Sequence, residues 1–153
     1  MTEKVYQILY CSRNNIRGTA AEVNAQIEAI LHASRTNNAR ANVTGALFYN
    51  NIFFAQALEG TFAALQATFE RLQLDPRHSD LVVLQSGYVE AREFGEWSMA
   101  YAGASADYEL PMINETPKHS TPNLTGEQVS EFLRGVVVQQ ENWALPGRTA
   151  VAR

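Results

Sequence analysis

The run Ile52, Phe54, Gln56, Leu58 sets one carboxamide among bulky apolar side chains at alternating positions. Alternate residues of a strand share a face, so Gln56 is expected on an otherwise hydrophobic surface. A carboxamide buried there costs on the order of 1–3 kcal/mol unless its donors and acceptor find partners. Tyr10, in the strand-like run from Val5 to Ser12, and Asn37-Asn38, at the expected end of a helix, are the other polar groups that could meet it. Each has a plainer reading. Strand tyrosines pack as core residues with the hydroxyl at an edge, and Asn serves well as a helix C-cap. Taken together, those readings leave Gln56 without a reason, and a planar, hydrogen-bonding ligand between two helices supplies one.

Other chemistry finds less support. Asp75, Arg77 and His78 share one turn, which suggests a phosphate or acid–base site, although polar turn residues usually lie in solvent. His32 and His119 have no partners at metal-ligand spacing, and Cys11, the only cysteine, can build neither a disulfide nor a zinc site. No glycine-rich phosphate loop is present. No metal site and no enzyme are expected.

The elements that must position these residues follow from pattern. Tyr6, Ile8, Tyr10 and Ser12 fall on one side of a first strand, with Val5, Leu9 and Cys11 on the other. Residues 13–18 read as a loop, and Thr19 with Glu22 forms a capping box for a helix whose inner face carries Val23, Ile27, Ile30, Leu31 and Ser34. That helix is expected to fray around Thr36 to Asn38. Strands Thr44 to Tyr49 and Ile52 to Leu58 make a hairpin through Asn50-Asn51, closing at Glu59-Gly60 and setting Gly45 opposite Gln56. A second helix starts near Thr61 with Phe62, Leu65, Phe69 and Leu72 as its buried stripe, and stops by Asp75 because Pro76 follows. Leu81 to Leu84, extending as far as Val89, is a fourth strand, and Glu96 to Tyr101 a fifth.

The order β-α-β-β-α-β with a further strand specifies an α+β, ferredoxin-like sheet with both helices on one face. Its first and third strands are then central neighbours, which brings Tyr10 within one hydrogen bond of Gln56. Residues 1–102 make this unit. Residues 103–153 supply a linker, a helix opened by a capping box at Thr125 to Gln128, and a tail containing Trp143. Val129, Phe132, Leu133, Val136 and Val137 would cover the sheet face opposite the ligand. At 153 residues, 46% apolar, 18% charged and a net charge of −4, the composition is that of a soluble globule with no broad nucleic-acid surface. No run approaches a membrane span and the N-terminus is no signal peptide, so the expected address is cytoplasmic.

Five stretches resemble one known family. They are Ile8-Leu9-Tyr10-Cys11-Ser12; Asn37-Asn38 through Thr44-Gly45 to Tyr49; Phe53-Phe54-Ala55-Gln56-Ala57-Leu58-Glu59-Gly60; Asp75-Pro76-Arg77-His78; and Arg92-Glu93-Phe94-Gly95-Glu96-Trp97-Ser98-Met99. In that order and at those separations they are similar to the BLUF domains, bacterial sensors of blue light using flavin, over Tyr6 to Tyr101.

The resemblance implies a non-covalent flavin, FAD or FMN, with Tyr10 as photoactive donor and Gln56 bridging it to the ring. It implies Asn38 on the ring's polar edge with Asn37 beside it, Ser12, Ile30 and Ser34 among the pocket contacts, and Arg77 and His78 toward the ribityl phosphate. Trp97 and Met99 match the pair that relays the state of Gln56. The short members signal to a separate effector protein and self-associate, so an effector and a homo-oligomer are expected here, with no nucleic-acid or membrane partner. The rivals are a small flavin-dependent oxidoreductase and a flavin-free, acyl-phosphate-type enzyme with Arg77, His78 or Asn38 in catalytic roles.

Overall fold

Thr19 and Thr61 each begin a helix. Both take extended backbone, and their hydroxyls accept from the amides of Glu22 and Ala64, while the Thr19 amide donates to the Glu22 carboxylate. Such caps satisfy amides that a first helical turn leaves without partners. The computed structural model describes residues 4–49, 52–95, 100–102 and 126–139. Its elements are β1 (Val5–Asn14), α1 (Ala20–Ala41), β2 (Thr44–Tyr49), β3 (Phe53–Gly60), α2 (Phe62–Gln73), β4 (His78–Val89), β5 (Ala100–Ala102) and α3 (Gly126–Gln139).

The strands form one sheet in the order β4-β1-β3-β2-β5, antiparallel except for β2 with β5. β1 and β3 are central neighbours, as the ferredoxin-like pattern requires. Ile8, Phe54 and Leu58 face Ile27 and Leu31 of α1 and Leu65 of α2. Leu9, Cys11, Phe48 and Phe53, pointing the other way, meet Phe94 and Val129 and Leu133 of α3. Phe132 packs edge-on against Phe48, ring centroids 4.9 Å apart. Each fully buried Leu of these two cores contributes roughly 1.5–3 kcal/mol relative to exposure.

Several elements depart from the sequence expectation. α1 runs past Asn37 and Asn38 to Ala41, and its C-cap is Asn42, in the left-handed region at φ 58°. Asn38 is buried inside the last turn, so packing outweighs its modest helix propensity. β1 extends through Arg13 and Asn14, and β4 starts at His78; their pairing there passes Asp80, at φ 54°. Phe62 is 49% exposed rather than part of the α2 stripe, and meets Tyr6 edge-on. Ile52 precedes β3, so strand alternation does not reach it, and it packs with Phe53 on the α3 side.

The hairpin register differs by two residues: Leu47, not Gly45, lies opposite Gln56, and Gly45 pairs with Leu58. An even slip preserves every side chain's face, so the expected faces of β3 from Phe54 onward hold. Gly45 is needed for a different reason. A Cβ at this position would overlap the Ala57 carbonyl oxygen, which is backbone and cannot swing aside. Gly45→Ala should therefore destabilise the fold by about 2–4 kcal/mol. Urea unfolding measures this, and an unchanged midpoint would refute the close approach.

The Asn50-Asn51 turn, Trp97 and Met99, the residue 103–122 linker, the Thr125 cap and Trp143 lie outside the described residues, as do the side chains of Val136 and Val137. Among the described residues no helix is long and apolar enough to cross a membrane, and no cluster of His, Cys, Asp and Glu could hold a metal.

Candidate functional site

Tyr10 and Gln56 are direct cross-strand partners on β1 and β3, with side chains on the helix-covered face. The Tyr10 hydroxyl donates to Gln56 Oε1, and each residue is 3% exposed. The pairing of β1 with β4 shifts between Leu9 and Tyr10. Irregularities of this kind bend a strand and re-aim its side chains, and this one falls at the tyrosine. Its ring is held by Phe69 at 5.9 Å and His78 at 6.3 Å between centroids. Burial, aided by the Cys11 thiol and the Asp75 carboxylate, pushes the Tyr10 phenol well above its ordinary value. It therefore stands as a neutral O–H donor.

From this pair a cleft opens between α1 and α2. Ile30, Leu47, Phe54 and Leu72 make its apolar walls, with Ser34, Arg77 and His78 at its polar rim. It continues into a second cleft bounded by Asn37 and Asn38 of α1 and by Thr68 and Arg71 of α2; Ile30, Ser34, Leu72, Asp75 and Arg77 line both. The two hold about 370 Å³ and 550 Å³ of atom-free space, part of it open to solvent. The turn is half-buried here, not solvated. Arg77 grips Asp75 through Nε at 2.9 Å and Nη2 at 2.7 Å, and this bond, against opposing burial, holds the Asp75 carboxyl below the usual range. His78 Nε2 meets the Leu72 carbonyl at 2.6 Å, and Nδ1 the Ser12 hydroxyl at 2.7 Å. A carbonyl only accepts, so Nε2 carries a hydrogen. Ser12 thus meets the cleft through His78, and the contact ties the end of α2 to β1.

The structure brings together Tyr10, Ile30, Ser34, Asn37, Asn38, Gln56, Arg77 and His78 around one continuous space. Leu47, Thr68 and Arg71 also line it and were not among the expected contacts, whereas Asp75 belongs to the turn already singled out. Leu47 was hidden by the register slip. Thr68, Arg71 and Leu72 recur at the spacing of one face of α2, a signal that its mixed polarity obscures.

An α+β sheet with a buried Tyr–Gln pair at the foot of a slot between two helices has a known counterpart. The family model for BLUF, sensors of blue-light using FAD, matches residues 5–100. The chain belongs to the BLUF family of sensors of blue-light using FAD, as the sequence resemblance implied. It is similar to the photoactivated adenylate cyclase subunit alpha of Euglena gracilis, 38% identical over 68 residues, which are 44% of this chain and 7% of that protein. It is also similar to the blue light- and temperature-regulated antirepressor BluF of Escherichia coli strain K12, 34% identical over 74 residues, 48% of this chain and 18% of that protein. The matched region thus spans only a small part of these relatives. Among solved structures, BlrB, a BLUF protein in its dark state, superposes with a TM-score of 0.73 at 25% identity, over 92% of this chain and 99% of that one. BlsA in its photo-activated state shares the fold, with a TM-score of 0.71 at 24% identity over 88% and 95% of the two chains.

The residues present fit the family's cofactor. The slot has two apolar sides, as a planar ring needs. In addition to Gln56, its lining carries the carboxamides of Asn37 and Asn38, the hydroxyls of Ser34 and Thr68 and the guanidiniums of Arg71 and Arg77, which suit carbonyl and imine edges and an anionic tail.

Proposed function

We propose that Tyr10 and Gln56 are the light-driven switch of this sensor, with the buried bond from the Tyr10 hydroxyl to Gln56 Oε1 as the observation that carries the reading. Asn37, Asn38, Ser34 and Ile30 would hold the ring, with Arg77 and the Ser12-braced His78 toward the phosphate end. The bound flavin supplies a strong oxidant when it absorbs blue light. Tyr10 would give up an electron to that oxidant and its Oη proton toward Gln56, the first group to meet it, and both would return to Tyr10. A phenol with an ordinary pKa of about 10 does not release its proton unprompted near neutrality, and burial disfavours that release further.

The lasting change resides in Gln56. Its amide has one acceptor and two N–H donors. Rotation or tautomerisation alters which of these faces Tyr10, with composition unchanged. Such a change biases an output only through contacts that differ between the two states. We assign that relay to Trp97 and Met99, and the output to a separate effector protein rather than to catalysis by this chain. On this reading residues 1–102 are the sensing unit, residues 103–153 its cap and tail, the cofactor in the cell is FAD or FMN, and a cytoplasmic homo-oligomer presents the surface to the effector.

Absorption of the purified chain before and after blue light tests the reading. The expected result is a red shift of a still-oxidised flavin spectrum that reverses in the dark. Bleaching on addition of NADH, with no such shift, would instead identify an oxidoreductase.

A further inference from the structure

Glu59 is 0% exposed, on the sheet face opposite the cleft, beside Ala57, Phe94 and the core of α3. Burying a polar group is costly unless it is hydrogen-bonded, so a face that needed only covering would be served by an apolar side chain. What Glu59 does is visible in its partners. Oε1 accepts from the Thr44 hydroxyl at 3.2 Å and the Phe94 amide at 2.9 Å; Oε2 accepts from Gln7 Nε2 at 3.1 Å and the Glu93 amide at 2.7 Å. These four donors come from β1, β2 and the segment after β4. The Glu93 carboxylate extends the chain, accepting from Gln7, from Ser130 at 3.1 Å and from Arg134 at 2.9 Å, the last two on α3.

The register gives this network its meaning. Tyr10 pairs with Gln56 and Gln7 pairs with Glu59 on the same β1–β3 ladder, three rungs apart and on opposite faces. The two pairs therefore share the same two strands, so a strain set up at the first has a direct backbone path to the second. We propose that Glu59 is a positioning residue that carries the light-driven change through the sheet, holding the segment before β5 and the C-terminal helix in register with the strand of Gln56. The inference rests on the switch assigned to Tyr10 and Gln56.

The test is amide hydrogen exchange of the full chain loaded with FAD, in the dark and under blue light, alongside its absorption spectrum. In the unaltered chain, exchange at Glu93, Phe94 and α3 should change on illumination. Glu59→Gln keeps the shape but turns one oxygen into a donor facing donors. It should retain the red shift while dark exchange at Glu93 and Phe94 rises roughly tenfold or more and no longer responds to light. The same rise should occur without flavin. An unaltered light response in this variant overturns the proposal, as does an unaltered chain that red-shifts without any exchange change there. Should Glu59→Gln not fold, the half-exposed Glu93→Gln is expected to keep the response at the Glu93 position and Phe94 and lose it in α3; a retained α3 response refutes the relay. Absence of any red shift in the unaltered chain is a different failure: it removes the sensor reading itself, and this proposal with it.

Discussion

Tyr10→Phe should leave the flavin bound and abolish the light-induced red shift completely. The variant keeps the ring that packs against Phe69 and His78 and removes only the hydroxyl that donates to Gln56. Binding should therefore survive, because the slot's walls and rim come from α1, α2 and β2 as well as β1. What disappears is the proton at Oη, and phenylalanine has no substitute for it. The cost in stability should be modest, about 1–3 kcal/mol for a buried acceptor left short of one donor. Flavin content after purification and the light-minus-dark spectrum measure the two effects separately. A normal photocycle in this variant would show that the donor role of Tyr10 is wrong.

Gln56→Leu should remove the red shift with equal completeness for a different reason. Leucine matches the apolar character of the surrounding face, formed by Phe54, Leu47 and Leu58, so the fold has no cause to fail. It strips the site of the group that can present either an acceptor or a donor to the tyrosine. Tyr10 would keep its proton, since burial still disfavours the phenolate, but no rearranged amide could record that light had been absorbed. The same difference spectrum decides the matter, and an undiminished shift would overturn the bridging role. The pair of variants also separates donor from recorder: the first lacks the proton, the second lacks the group whose bonds are altered.

Much of this site was legible because it depends on parity. Tyr10, Phe54, Gln56 and Leu58 had to share a face once their strands were recognised, and an even register slip could not disturb that. The register itself was not legible, since alternation carries no information about how many residues a turn consumes. The end of α1 was misjudged because two consecutive Asn residues look like a cap. The cap is Asn42, and burial of Asn38 keeps the helix intact through the dyad. His78, Ser79 and Asp80 concealed the start of β4 by being polar, since backbone pairing with Arg13 and Asn14 does not require apolar side chains. Glu59, read as part of a hairpin closing beside Gly60, gave no hint of total burial. An acid next to glycine resembles a turn, and only the approach of Gln7, Thr44 and the residue 93–94 amides shows otherwise.

The sheet is a single layer, with Tyr10 and Gln56 on one side and α3 on the other. A partition one peptide thick keeps its two surfaces apart while leaving only a backbone's width between them. On the relay proposed above, substitutions at Ser130 and Arg134, which hold Glu93 from α3, should change what is transmitted and leave the colour of the cleft as it is.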